Sequence, residues 1–295
     1  MESSNRRRSM KTLRGADSSN RAAVRAPHLR WQDAADRYHA CMFPSSPPPP
    51  LPDAAPPGTW PLFRFRGIRV FLHWSWILVA IYQINRGRGG YPHIGWDIAQ
   101  YLTLFVFVTL HEFGHAFAAR QVGGRAERIL LWPFGGIAFV DLPPRPGAYL
   151  WGIAAGPLVN VALFPVLYLM AGSYCDPLTM ESLYIFLYGA EVEPLGQFLY
   201  SIFFLNTLML VFNLLPVFPM DGGQMLRGVL WYMIGPVKSL LVAAWTGLIL
   251  GGAMVLYSAF VLENIFMAVM IGLMVYQSWS VIQNVRGRQM QRAGQ

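Results

Sequence analysis

Long apolar stretches are the feature that most constrains what this chain can fold into. Six of them lie near residues 70–85, 97–119, 148–171, 197–215, 238–259 and 262–283. A helix that crosses the hydrocarbon core of a bilayer, about 30 Å thick, needs about 20 mainly apolar residues. The whole chain is 54% hydrophobic and 13% charged, whereas soluble domains carry about 25% charged residues. The sequence therefore predicts an all-α polytopic membrane protein with about six transmembrane helices.

The first sixty residues differ in composition from the rest. They contain the run Arg6-Arg7-Arg8 and consecutive prolines at 47–50, and no apolar core of signal-peptide length. We expect a disordered Arg/Pro-rich tail over residues 1–60, followed by a six-helix core over 61–295. An Arg- and Ser-rich start also fits an organellar transit peptide. A solvated tail is the simpler interpretation.

The positive charges predict how the protein is oriented. With the N-terminus placed inside, 21 of the 23 Lys and Arg residues fall in inside segments, and only Arg86 and Arg88 fall outside. Cytoplasmic loops retain positive charge, so we expect both termini to face the cytoplasm. This placement accounts for the net charge of +8, and no nucleic-acid partner is expected. The plasma (inner) membrane is the expected location, with an organellar membrane as the alternative.

The second apolar stretch ends in a motif that carries chemistry. It reads His111-Glu112-Phe113-Gly114-His115, and residues four apart share one face of a helix. Two imidazoles presented together can bind one Zn²⁺, and the glutamate after the first ligand can act as general base for an attacking water. An ionisable side chain at the centre of the bilayer costs on the order of 2.5 to 3.5 kcal/mol, so function is the natural reason to retain three. The alternative is a hydrogen-bonded cluster that only ties helices together.

A catalytic zinc normally has three protein ligands, and the sequence offers several acids for the third. Glu127, Asp141 and Asp221 follow on the same predicted side of the membrane. Asp221 stands out because it lies in the turn-rich segment after the fourth apolar stretch, with prolines at 216 and 219 and glycines at 222 and 223. Proline ends a helix and glycine permits tight turns, so this carboxylate can bend back toward the histidines.

These residues resemble the site-2 protease family of intramembrane zinc metalloproteases, which combine the histidine motif with a distant Asn-x-x-Pro-x-x-Pro-x-Asp-Gly segment, here residues 213–222. The resemblance covers residues 62–286. It implies that His111, His115 and Asp221 bind one Zn²⁺ per chain and that Glu112 is the catalytic acid/base.

The resemblance also implies roles for polar side chains outside the metal ligands. Asn213 would contact substrate or the developing oxyanion. Asn160 ends a Gly-Pro-x-x-Asn element and would line the site, while Gly152 and Gly156 before it are interpreted as helix-packing residues. Asn206 and Asn213, seven residues apart, are candidates for a water path.

Residues 129–140 predict a small membrane-associated β-hairpin between the second and third helices. An exposed edge strand there would capture an unwound substrate segment by β-augmentation. Gly135 and Gly136, at its turn, are further candidates for substrate or oxyanion contact. The alternative is a plain hairpin at the membrane surface.

The function predicted is regulated intramembrane proteolysis by a minimal enzyme without PDZ or cystathionine-β-synthase-type domains. By resemblance, the partners are single-span membrane proteins such as anti-sigma factors or tethered transcription factors. A metal-ion transporter and a catalytically silent scaffold that binds membrane segments are the alternatives. The sequence leaves the oligomeric state open.

Overall fold

The protein is described by a computed structural model over residues 55–87, 91–132, 135–174, 177–179 and 193–293. In chain order its elements are β1 Thr59–Phe65, β2 Ile68–His73, α1 Ser75–Gly87, α2 Ile94–Gln121, β3 Arg125–Trp132, β4 Gly135–Asp141, α3 Pro146–Gly172, α4 Pro194–Leu214, α5 Asp221–Phe260 and α6 Ile265–Ala293. The tail expected over residues 1–60 lies outside the described residues up to residue 54, and Thr59 and Trp60 already belong to β1.

The predicted hairpin is present as β3 and β4, but it is half of a larger sheet. The strand order is β1-β2-β3-β4, with an antiparallel pair at each side and a parallel pair in the middle. The first predicted span, residues 70–85, was therefore wrong at its start, because residues 70–73 belong to β2. The part of β2 inside that predicted span begins with the apolar run Val70-Phe71-Leu72, and a strand of such a short apolar run cannot be distinguished from a helix by its periodicity.

Four helices are long and apolar enough to cross a membrane among the residues described: α2, α3, α4 and α5. They contain the predicted spans 97–119, 148–171 and 238–259, and nearly all of 197–215. The expectation of six such helices is not confirmed. Helix α1 has 13 residues and is about 20 Å long at 1.5 Å per residue, which is short of the bilayer core. Helix α6 has 29 residues, but its apolar run is interrupted by polar residues such as Gln277 and Ser278.

Helix α5 is 40 residues long and is broken near its first third. Gly235 has φ 79° and ψ 172°, outside the helical region, and Pro236 follows it. The left-handed φ suits a residue without a Cβ, and the proline cannot continue the hydrogen-bond ladder. The break separates a short segment that begins at Asp221 from the longer segment that contains the predicted span.

Helix α2 lies at the centre of the fold because it contributes to both buried clusters. On one side, Val108, Phe113 and Ala116 pack against the sheet, including Ile129 of β3. On another side, Phe107 packs against α3 and α4. The apolar side chains that remain exposed on the spanning helices, such as Leu169, which is 72% exposed, suit a lipid environment.

The segment between α4 and α5 is held tightly against its neighbours. The Phe218–Pro219 peptide bond is cis, and the carbonyl of Phe218 accepts a hydrogen bond from the Ser278 hydroxyl at 2.7 Å. A Cβ on Gly223 would lie 2.4 Å from the amide nitrogen of Phe218. A Cβ on Gly247 would lie 2.5 Å from the Phe218 carbonyl oxygen. The glycines thus allow α5 to pack directly on the backbone that precedes it.

We expect Gly247→Ala to destabilise the protein by about 1 to 3 kcal/mol, because the added methyl group overpacks this contact. Gly252→Ala is the matched control, since its Cβ would meet nothing within 4 Å and alanine favours the helix. Thermal unfolding in detergent should show a lower midpoint for Gly247→Ala and an unchanged or higher one for Gly252→Ala. Equal midpoints for the two variants would contradict the packing assigned to Gly247.

Candidate metal centre

The two histidines of the motif lie on one face of α2 and point at each other. Their Nε2 atoms are 3.1 Å apart, and the rings meet edge to face with centroids 4.8 Å apart. Both side chains are buried, His111 being 3% and His115 7% exposed. The four-residue spacing on the helix produces this arrangement, as the sequence predicts.

Asp221 brings the third ligand atom from the first residue of α5. Its Oδ2 lies 3.0 Å from Nε2 of His111 and 3.4 Å from Nε2 of His115. In a tetrahedral zinc site with bonds of about 2.0 to 2.1 Å, neighbouring ligand atoms are about 3.3 Å apart. The three atoms therefore form a triangle of the size that one zinc ion needs. Of the three acids that the sequence offered, Asp221 is the one that reaches both histidines.

The outer nitrogens of the imidazoles fix which nitrogen carries the proton. Nδ1 of His115 lies 2.8 Å from the carbonyl oxygen of Gly152, and a carbonyl can only accept, so Nδ1 donates. Nδ1 of His111 lies 2.7 Å from Oδ1 of Asn160. Both Nε2 atoms then present lone pairs to the centre, together with the carboxylate oxygen of Asp221. Three acceptors this close repel one another unless a cation lies between them, and outer hydrogen bonds of this kind are typical of metal-ligating histidines.

Gly156 on α3 leaves the space in front of the two Nε2 atoms. A Cβ at this position would lie 2.2 Å from Nε2 of His115 and 2.8 Å from Nε2 of His111, near the place where a zinc ion would bind. The sequence predicted a packing role for Gly156, and the structure adds this one. The neighbouring helix contact is made by Gly114, whose Cβ would lie 2.5 Å from the Ala155 carbonyl oxygen. The residues present thus fit a zinc ion in donor chemistry, spacing and room.

Glu112 lies beside the triangle and is held by the sheet. It is 5% exposed, and its ligand atoms and those of the two histidines lie within 4.8 Å of one another. The backbone N–H of Ala138 in β4 faces its carboxylate. A Cβ on Gly136 would lie 2.0 Å from Cγ of Glu112, so only glycine lets the strand approach this closely. β4 therefore positions the carboxylate that the motif supplies.

The other predicted site residues differ in whether they contact the metal ligands or Glu112. Asn160 is fully buried and bonds His111, so it supports a ligand. Gly136 touches Glu112, whereas Gly135 begins β4 opposite Trp132. Asn213 is half-buried near the end of α4, and among the described residues it makes no hydrogen bond to the triangle. Its role in substrate or oxyanion contact stays a prediction.

Sequence reasoning missed the backbone contributions of Gly152 and Ala138. No side-chain motif signals a carbonyl acceptor or an N–H donor. The one available signal for this region was the pair of glycines four residues apart on α3, which is equally typical of ordinary helix packing. Asn206, a candidate for a water path, is instead fully buried and bonded to Asn160.

A bundle of membrane-length helices around two histidines, an aspartate and an adjacent glutamate defines a membrane protein with a metallopeptidase-type centre. The sequence model of peptidase family M50 matches residues 99–175 and 176–256, together more than half of the chain. The chain belongs to peptidase family M50, the site-2 proteases.

Named relatives and a solved structure agree with this assignment. A zinc metalloprotease of Methanocaldococcus jannaschii is 35% identical over 215 residues, which cover 73% of this chain and 58% of that protein. The putative zinc metalloprotease Rip3 of Mycobacterium tuberculosis is 31% identical over 187 residues, 58% of this chain and 43% of Rip3. The structure of the site-2 protease from Methanocaldococcus jannaschii matches with a TM-score of 0.53 and 30% identity, covering 76% of this chain and 95% of that one. The chain thus spans about half the length of the curated relatives that it matches.

We expect Gly156→Ala to abolish stoichiometric zinc binding, because the methyl group would fill the space between the two Nε2 atoms. Gly172→Ala on the same helix is the control, since its Cβ would make only an ordinary contact with Pro177 at 3.8 Å. Both proteins should be purified without chelators and their zinc quantified by mass spectrometry. Full zinc content in Gly156→Ala would contradict the location inferred for the metal.

Proposed function

We propose that this chain is a zinc-dependent intramembrane endopeptidase. It would hydrolyse peptide bonds in or near the transmembrane segments of membrane-anchored substrates. The observation that carries the proposal is the triangle of His111, His115 and Asp221 with Glu112 beside it, buried among helices that are long enough to cross a membrane. Burying an ionisable side chain in the membrane costs free energy, and such side chains mark functional sites there. A cluster of four such side chains therefore indicates a function other than structural support.

We infer that one zinc ion per chain is held by the three side chains of the triangle. A bound zinc supplies Lewis acidity, which polarises a peptide carbonyl and lowers the pKa of water from 15.7 to about 7. The chain itself contributes the orientation of its ligands. The Gly152 carbonyl and the Asn160 side chain hold the two Nδ1–H groups, so both Nε2 atoms face the same point.

Glu112 is the proton carrier in this proposal. Its carboxylate takes a proton from the attacking water as the oxygen adds to the peptide carbonyl carbon, and delivers that proton to the leaving amine as the C–N bond breaks. No covalent enzyme intermediate is formed. The close approach of Gly136, with the Ala138 N–H facing the carboxylate, keeps the carboxylate in place. Asn213 is the proposed side chain for contact with substrate or the developing oxyanion.

The outer edge of β4 is the proposed place of substrate capture. No further strand pairs with β4 among the residues that the structure describes. Backbone N–H groups lie in the plane of a sheet, so the Ala138 N–H that reaches Glu112 points off this open edge. An extended segment added there would run beside Glu112. A transmembrane substrate helix would have to unwind first, because its backbone groups are otherwise bonded internally.

The proposed substrates are single-span membrane proteins such as anti-sigma factors or membrane-tethered transcription factors. The proposed location is the plasma (inner) membrane, with both termini in the cytoplasm, as the distribution of Lys and Arg favours. A transporter would be expected to distribute ligands along a path across the bilayer. In the described part of the chain, one group of three metal-ligating side chains is found, which favours the peptidase.

Replacing Glu112 by glutamine tests the proposed function directly. We expect wild type and Glu112→Gln to bind equal amounts of zinc, because Glu112 is not a member of the ligand triangle. Cleavage of a panel of single-span substrates should fall by about 10²- to 10⁴-fold, the usual contribution of general acid–base catalysis. Absent zinc in wild type purified without chelators, or cleavage that survives the substitution, would reopen the transporter and scaffold alternatives.

Cross-linking tests the capture edge. In a Glu112→Gln chain with Cys41 and Cys175 replaced by serine, Phe139→Cys on β4 should form disulfides with substrates that carry a cysteine near the cleavage site. Trp60→Cys on β1, at the other edge of the sheet, is the control, since the native side chains are similarly exposed, 40% at Phe139 and 49% at Trp60. Equal yields at the two edges would contradict capture by β4.

A further inference from the structure

Asn206 of α4 bonds the side chain of Asn160, which in turn bonds the predicted metal ligand His111. It is 0% exposed, as is Asn160, and the two amides bond each other. Nδ2 of Asn160 donates to Oδ1 of Asn206 at 2.9 Å, and Nδ2 of Asn206 donates to the backbone carbonyl of Asn160 at 3.1 Å. Oδ1 of Asn160 in turn accepts from Nδ1 of His111 at 2.7 Å. Three helices are thereby connected by one chain of hydrogen bonds.

The backbone carbonyl of Asn160 fixes which group donates and which accepts in each of these hydrogen bonds. A backbone carbonyl can only accept, so the amide of Asn206 must turn its NH₂ group toward the carbonyl of Asn160 and its oxygen toward the Asn160 side chain. Asn160 must then direct its own NH₂ group at Asn206 and its oxygen at His111. His111 meets an acceptor, carries its proton on Nδ1 and keeps the Nε2 lone pair free for the metal.

The opposite arrangement would block the site. Without Asn206, the amide of Asn160 could rotate and present its NH₂ group to Nδ1 of His111, which favours a proton on Nε2. That proton would occupy the position where the ligand bond forms. His115 is not exposed to this failure, because a backbone carbonyl, that of Gly152, holds its Nδ1 directly. The two histidines therefore depend on different supports.

We propose that Asn206 is a positioning residue for the metal centre: it fixes the amide orientation of Asn160 and, through it, the tautomer of His111. This inference rests on the proposed zinc site, and it adds a residue that reaches the metal through two others. It also assigns to Asn206 a role other than a water path, since both polar groups of its side chain are used inside the protein.

Asn206→Leu, which has nearly the same shape and no polar group, tests the inference. We expect its zinc affinity, measured by chelator competition on the full chain in detergent, to fall by about 10-fold, the lower end of the range for residues that support metal ligands. Thr207→Val is the matched control on the same helix, because within the described residues the hydroxyl of Thr207 bonds back to the Phe203 carbonyl of α4 and not to the metal centre. It should bind zinc as wild type does.

A second readout separates positioning from general loosening of the fold. In zinc-loaded protein labelled with ¹⁵N-histidine, Asn206→Leu should shift the Nδ1–H resonance of His111, assigned through its proximity to the Asn160 side chain, and leave that of His115 unchanged. Asn206→Asp, which keeps the acceptor for Asn160, should lie between wild type and Asn206→Leu in zinc affinity. Should Asn206→Leu fail to fold, the Asp variant and the wild-type resonances still provide the test.

Unchanged zinc affinity in Asn206→Leu, equal shifts of both histidines, or Nε2–H rather than Nδ1–H on His111 of the wild-type protein would overturn the inference. These outcomes are independent of proteolysis. A chain that cleaves substrates but binds zinc normally without Asn206 would disprove the positioning role alone. Loss of zinc affinity in Asn206→Leu as expected, together with a zinc-loaded wild-type chain that cleaves no substrate, would contradict the proposed function alone.

Discussion

The structure depends on how closely helices α2, α3 and α5 approach around one point. Three side-chain atoms can share a metal only if they converge to about 3.3 Å, and His111, His115 and Asp221 do so from two helices that are far apart in the sequence. Glycine makes the approach feasible at each contact. Gly114 admits the backbone of α3, Gly156 leaves room in front of the imidazoles, and the glycines after Asp221 seat α5 on the preceding loop.

The second constraint is that polar groups buried in a bilayer have to be bonded within the protein. The metal centre satisfies this requirement through two successive sets of hydrogen bonds. The imidazole nitrogens that face outward bond to a backbone carbonyl and to Asn160, and Asn160 is bonded by Asn206. The Glu112 carboxylate lies on another side of the centre, where it faces the backbone N–H of Ala138 in the sheet. Helix α2 belongs to both arrangements, and for this reason it packs against the sheet on one side and the bundle on the other.

The side chains of the centre could be predicted from the sequence, and their surroundings could not. Spacing on a helix is sufficient to place His111, Glu112 and His115 together, and the prolines and glycines around Asp221 signal a turn back into the membrane. The sequence predicts a helix where strand β2 lies because Val70, Phe71 and Leu72 form a short apolar run, and periodicity does not distinguish a strand from a helix in such a run. The contacts made by Gly152 and Ala138 come from the backbone, and every residue except proline carries the same backbone C=O and N–H groups, so no residue type signals them.

The distance in sequence between the ligands has a consequence for the biogenesis of the protein. His111 and His115 are inserted with α2, whereas Asp221 follows only after α3 and α4. During synthesis, a chain that has not yet passed residue 221 presents two imidazoles without their carboxylate. If the proposed peptidase needs the three ligands together, a partly synthesised chain is inert while its own transmembrane helices are still being inserted. The proposed activity then begins only when the helix that begins at Asp221 docks against the loop of Phe218.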